Sequence, residues 1–216
     1  MKEKKKIWFY PLIIMGVLVM LTAGCEKSSN DDDDDSGPKV TDIDGNEYKI
    51  VTIGSQIWMA ENLKTTKYSN GEPIPNVTNV SEWSSLSAGA YANYGNDANN
   101  GKKYGRLYNW YAVTDNRNIC PTGWHVPTDE EYKILESYLG MSAAQINEWE
   151  WRGTDQGTQL KSTTGWKAGE NGTNTSGFSG LLAGMFYEQH RDFFNSLKYD
   201  AYFWYTRGLA DTIPYT

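Results

Sequence analysis

Polar and apolar positions change rhythm several times along this chain. Behind the basic start MKEKKK, an unbroken apolar run, IWFYPLIIMGVLVML, fills residues 7 to 21. From residue 39 the rhythm shortens. Tyr48, Ile50 and Thr52 alternate with Lys49, Val51 and Ile53, the two-residue period of a strand. Asp44-Gly45 separates KVTDI from NEYKIVTI, and glycine tolerates the positive φ of a tight turn, so the pair predicts a hairpin. A second turn at Gly54-Ser55 leads into QIWMA and completes a three-stranded start, with Trp58 as core filling.

Residues 68 to 105 hold no sustained period and are rich in Gly and Asn, which predicts a long structured loop. Asp97, Asn99 and Asn100 offer oxygens there, but Gly101 interrupts a cation-ligand spacing and turn formation explains them. Helical rhythm is clearest in PTDEEYKILESYLG. Thr128 with Glu131 reads as a capping box, Asp129 and Glu130 suit the helix dipole, and Tyr132, Leu135 and Leu139 share one face up to Gly140. A weaker helix is predicted from residue 142 to about 151.

Composition changes the picture of the core. Between residues 39 and 216 there are 27 aromatic side chains against 25 Leu, Ile and Val, interrupted by 18 glycines. Rings of that number pin loops more readily than they fill a helical bundle. The fold class expected is α+β: a single loop-rich domain of short antiparallel strands with one or two helices. No fixed-period repeat is present, which argues against a solenoid or propeller.

The first 38 residues carry a separate message. A helix over the apolar run would span about 22 Å, short of the roughly 30 Å hydrocarbon core, so a secretory leader over 1–24 is favoured over a permanent span. The residues LTAGC resemble the lipobox of bacterial lipoproteins, with Thr22 where Leu is more usual, and place Cys25 as the lipidation site. An inert thiol is the bland alternative. Each buried acyl CH₂ is worth about 0.8 kcal/mol, so two or more chains hold stably where one does not. Residues 25–38, with five consecutive aspartates, bury nothing and form an acidic tether reaching about 20 Å. In some bacterial phyla such a run resembles a signal for export to the outer face of the outer membrane; it serves equally as a plain spacer. Without the leader, 16 basic and 26 acidic side chains remain, a net charge of −10 that disfavours nucleic acid as a partner. The expected localisation is extracytoplasmic, anchored by lipid to the outer membrane or on the cell surface.

IGSQIWMAENLKT, YGRLYNWYAV, CPTGWHVPTDEEYKIL and SGFSGLLAGMF, in this order, resemble the Fibrobacter succinogenes major paralogous domain, a family found in extracytoplasmic bacterial proteins. The similarity covers about residues 40 to 186. It implies no established activity. WHVPTDEEY is also similar to a segment of formylglycine-generating enzymes, which implies a C-type-lectin-like fold. Where relatives read closer to ALPGGYR this chain has LAGMFY, and the cysteine that would pair with Cys120 near the family's end is missing, which implies an odd thiol and a shortened C-terminus.

Catalytic chemistry finds little support in the residues. His125 and His190 are the only histidines and neither has a metal-ligand spacing. Cys25 and Cys120 cannot form a formylglycine-type pair if the first is acylated, and the acidic cluster at 129 to 131 is explained by capping. No catalytic residue, metal or cofactor is assigned. A binding or adhesion module is the better expectation, with polysaccharide or a surface protein as partner. Trp83, Tyr91, Tyr94 and Tyr104, in the polar loop, are the candidates for stacking on sugar rings, against the simpler reading that they pin the loop. A scaffold without a small ligand is the remaining alternative.

Overall fold

The computed structural model describes residues 37–148, 152–186, 194–195 and 201–206. The leader, Cys25, most of the acidic tether, Trp151 and His190 lie outside them. Strands β1 (Lys39–Thr41), β2 (Glu47–Ile53) and β3 (Gln56–Met59) form an antiparallel sheet in that order. Gly54, at φ 62°, makes the two-residue turn that brings Ile53 opposite Gln56. The first hairpin is wider than the sequence implied. Asp42 occupies its loop, accepting the amides of Asp44 and Asn46, the Asn46 side-chain amide, and the Tyr48 hydroxyl at 2.5 Å.

Period two puts opposite parities of β2 on opposite faces, and both faces find cover. Tyr48, fully buried, points to the Asp42 loop and to Lys64, whose amide its hydroxyl accepts. Val51 and Ile53, on the other face with Trp58 of β3, pack against Leu135, Leu139 and Phe178. A second core gathers Tyr68, Ile74, Tyr91, Tyr108, Val113, Ile119 and Cys120. Each large side chain so buried contributes about 1.5 to 3 kcal/mol.

Residues 68–105, predicted as loop, contain short elements: helix α1 (Val80–Ser84), strand β4 (Tyr91–Ala92), a 3₁₀ turn (Tyr94–Asn96) and helix α2 (Ala98–Tyr104). Each is started by a local Asx hydrogen bond or a few backbone bonds, signals too short to show as periodicity. Asp97 caps α2 by accepting the Asn99 amide at 2.8 Å, the turn-forming role expected of it. β4 pairs antiparallel with β5 (Leu107–Tyr108), and helix α3 (Trp110–Val113) follows.

Helix α4 (Asp129–Tyr138) has the expected capping box, with Thr128 accepting the Glu131 amide and Glu131 accepting the Thr128 amide at 2.7 Å. The predicted second helix shrinks to α5 (Ala143–Ile146). A capping box of Ser142 and Gln145 starts it, and Asn147 ends it by turning its side chain onto the Ala143 carbonyl. Helix α6 (Gln156–Leu160) completes the described helices, of which only α4 exceeds two turns. Strands β6 (Met185–Phe186) and β7 (Phe194–Asn195) pair antiparallel. The architecture is mixed α and β, with small antiparallel sheets and few helices, as the α+β expectation held.

Close packing tests itself at glycine. A Cβ on Gly89 would sit 1.9 Å from the Tyr68 hydroxyl oxygen and 3.0 Å from the Ala112 Cα, whereas one on Gly157 in α6 meets nothing within 4 Å. Gly89→Ala is expected to cost about 1 to 3 kcal/mol by overpacking, and Gly157→Ala to be neutral or stabilising by up to about 1 kcal/mol, as read from urea denaturation midpoints.

Candidate functional site

The four rings proposed from sequence separate into two kinds. Tyr91 and Tyr104 are only 8% and 7% exposed, which corrects their expected place on the surface. Tyr91 packs against Tyr108 and carries the Arg106 guanidinium 4.5 Å above its ring; Tyr104 closes α2 against the core. Trp83 in α1 and Tyr94 in the 3₁₀ turn are half-buried. The four do not form a common surface with the features below.

Exposed rings among the described residues include Tyr111 at 44% and Tyr138 at 63%, and three more stand together at 202–204. Tyr202, Phe203 and Trp204 are 47%, 39% and 41% exposed and line one wall of a cleft of about 590 Å³. Backbone bonds hold this segment in place. The Thr206 amide donates to the Pro127 carbonyl and the Asp129 amide donates to the Thr206 carbonyl, both at 2.9 Å. The Trp204 indole N–H donates to the Tyr108 carbonyl at 2.9 Å, and its ring lies 5.9 Å from that of Trp110. Phe203 meets Phe178 edge to face at 5.4 Å. From Phe178 the contacts continue to Trp58, Tyr132 and Tyr205, with centroids 5.3 to 6.0 Å apart. Phe203 thus rests on a buried ring and Trp204 on a half-buried one, which holds their orientation.

The floor and far wall come from β3, residues 60–63 and the stretch 123–127, so the cleft draws on both cores. Gln56 donates its Nε2 to the Glu131 carbonyl at 3.1 Å, while its Oε1 and the Trp58 indole N–H are buried with no partner among the described residues. An unmet buried polar group costs about 1 to 3 kcal/mol.

The titratable groups of the cleft are engaged in structure. His125 Nε2 sits 2.9 Å from Glu131 Oε1. Burial pushes the Glu131 carboxyl up, but hydrogen bonds from Thr128 and His125 outweigh it and leave the group below its ordinary value of 4.5. Burial pushes the free Cys120 thiol up to about 12, so the odd cysteine is a protonated core residue. No group of three or more His, Cys, Asp or Glu side chains converges on a metal-sized site among the described residues.

A loop-rich α+β domain whose aromatic-walled cleft keeps its ionisable groups tied into caps and packing is the class this geometry defines. Residues 51–214 match the Fibrobacter succinogenes major domain, and the chain belongs to that family. The match runs beyond the four blocks that carried the resemblance. No curated protein and no solved structure matches the chain.

The sequence did hold a signal for the cleft wall, the four consecutive aromatics YFWY at 202 to 205, which has no period to mark it as exposed. With its thiol held protonated, Cys120 is expected to resist iodoacetamide at pH 8 in the native protein and to react fully in denaturant, read by peptide mass spectrometry. A second expectation concerns acid. A carboxylate whose folded pKa is depressed stabilises the protein above its unfolded value and loses that contribution as pH falls through the folded one. Glu131 belongs here, as does Asp115, which hydrogen bonds from Arg117 lower from 3.8 to about 2. Stability is therefore expected to fall as pH drops from 4.5 toward 2, with a shallower fall in Glu131→Gln, a substitution that retains the capping box; thermal denaturation across this range measures both.

Proposed function

We propose that the protein is a non-catalytic binding module that captures polysaccharide outside the cytosol. Cys25 carries the lipid anchor to the outer membrane, and the acidic tether holds the domain away from the lipid. The observation that carries the reading is the row Tyr202, Phe203 and Trp204, exposed along a cleft, with Phe203 fixed from behind by Phe178 and Trp204 by Tyr108 and Trp110. Pyranose rings present apolar C–H faces to such aromatics, and held rings lose little entropy on binding. The small sheets, long ordered loops and capped α4 are compatible with a C-type-lectin-like architecture, which rests on analogy.

The non-catalytic reading is supported by the chemistry of the cleft. Cys120 is held protonated, and the Glu131 carboxylate is shared between a helix cap and His125. The binding face differs from the sequence expectation, since it is built by residues 202–204 and not by Trp83, Tyr91, Tyr94 and Tyr104.

Retention of the full-length protein on insoluble polysaccharides and glycan arrays tests this. Trp204→Ala is expected to weaken binding by about 2 kcal/mol, roughly thirtyfold in Kd, with Trp83→Ala unchanged. Silence across all glycans would favour a surface scaffold without a small ligand.

A further inference from the structure

We infer that the open edge of β3 docks an extended apolar peptide segment of another protein, which joins the sheet as a fourth strand; this goes beyond polysaccharide capture and does not rest on it. Ladder bonds alternate along an antiparallel pair. Gln56, Trp58 and Ala60 turn their N–H and C=O to β2, the Ala60 amide meeting the Lys49 carbonyl at 2.8 Å. Ile57 and Met59 therefore turn theirs away from it. No strand lies on that side among the described residues, and none of those residues bonds to these four groups. The edge also lacks the usual guards. Gln-Ile-Trp-Met holds no Pro and no Lys, its register with β2 runs without a bulge, and Ile57 is 58% exposed.

The chemistry and shape of the edge select its occupant. Two donors and two acceptors repeating at every second residue are the complement of another main chain, which pairs with them at a spacing of about 4.8 Å. The edge is also recessed. Residues 56 to 60, of both parities, all line the cleft, so the space abuts the edge of β3 and not one face of it, and the segment 202–204 forms another wall. A single extended chain enters such a space, whereas the edge of a second folded copy, carrying its own layers, does not. Side chains set the sequence that fits. A strand paired here lays two residues beside Ile57 and Met59 and turns the one between them to the face of Trp58, where Phe178 and then Phe203 follow edge to face. Three consecutive apolar or β-branched residues suit these three places.

Selection from a phage-displayed library of random octapeptides by the full-length protein in detergent, followed by amide hydrogen exchange with the selected peptide made synthetically, tests this. Selected sequences are expected to hold three consecutive apolar or β-branched residues. The peptide is expected to slow exchange at the Ile57 and Met59 amides at least tenfold while Trp58, already bonded to β2, is unchanged, and N-methylation of the peptide backbone is expected to abolish the effect. Ile57→Pro, which an edge position with an unbonded amide tolerates, is expected to weaken peptide binding at least tenfold; should that variant not fold, the exchange result on the unsubstituted protein decides. Failure to select any sequence, equal binding by the N-methylated peptide, or binding without slowed exchange at 57 and 59 overturns the inference. So does slow exchange at these amides before peptide is added, which gives the edge to this chain or a second copy, or slowing by a soluble β-glucan in place of the peptide, which gives it to the sugar.

Discussion

The buried carboxylate of Asp42 is the interaction on which the rest of the domain depends. It turns the first hairpin by accepting two backbone amides and fixes the Tyr48 hydroxyl, which in turn accepts the Lys64 amide at 2.8 Å. Asp44, in the same loop, accepts the amide and hydroxyl of Thr66, so the hairpin is welded to residues 64–66. From there the Lys64 carbonyl takes Arg106 and the Thr65 carbonyl takes Tyr108. A domain with so little regular structure must satisfy its loop backbone by side chains, and this relay does so from the first strand to the edge of the cleft.

Two cores of different character meet at that edge. One is built on β3, α4 and Phe178; the other on Tyr68, Tyr91, Tyr108 and the segment holding Cys120. Neither cluster fills the space between them, and residues 201–206 cross it as a strap held by backbone bonds to 127–129. The cleft is a consequence of joining two aromatic cores by a short extended segment. Trp204 cannot fold inward because its N–H is held at the Tyr108 carbonyl and its ring lies against Trp110.

Local signals were readable where one or two residues decide the outcome. The capping box of Thr128 and Glu131, the turn at Gly54 and the core place of Trp58 each follow from side chains within a few positions. The short helices α1, α2 and α3 were missed because each depends on a single Asx cap, at Asn79, Asp97 or Asn109, inside a stretch with no repeating apolar stripe. Tyr91 and Tyr104 were misplaced for a related reason. A polar neighbourhood in sequence says little about a ring that the Arg106 guanidinium or a helix end carries inward.

By itself the sequence determined the class of fold, the three-stranded start, the capped α4 and the membership of residues 51–214 in their family. Those depend on local backbone preference and on ordered blocks of residues. Only the tertiary structure decided which aromatics remain at the surface, because burial of a ring is set by partners far along the chain: Trp204 is held by Tyr108, 96 residues away. The same holds for the engagement of Arg106, Glu131 and Cys120, whose chemistry depends on what packs beside them and not on their neighbours in sequence.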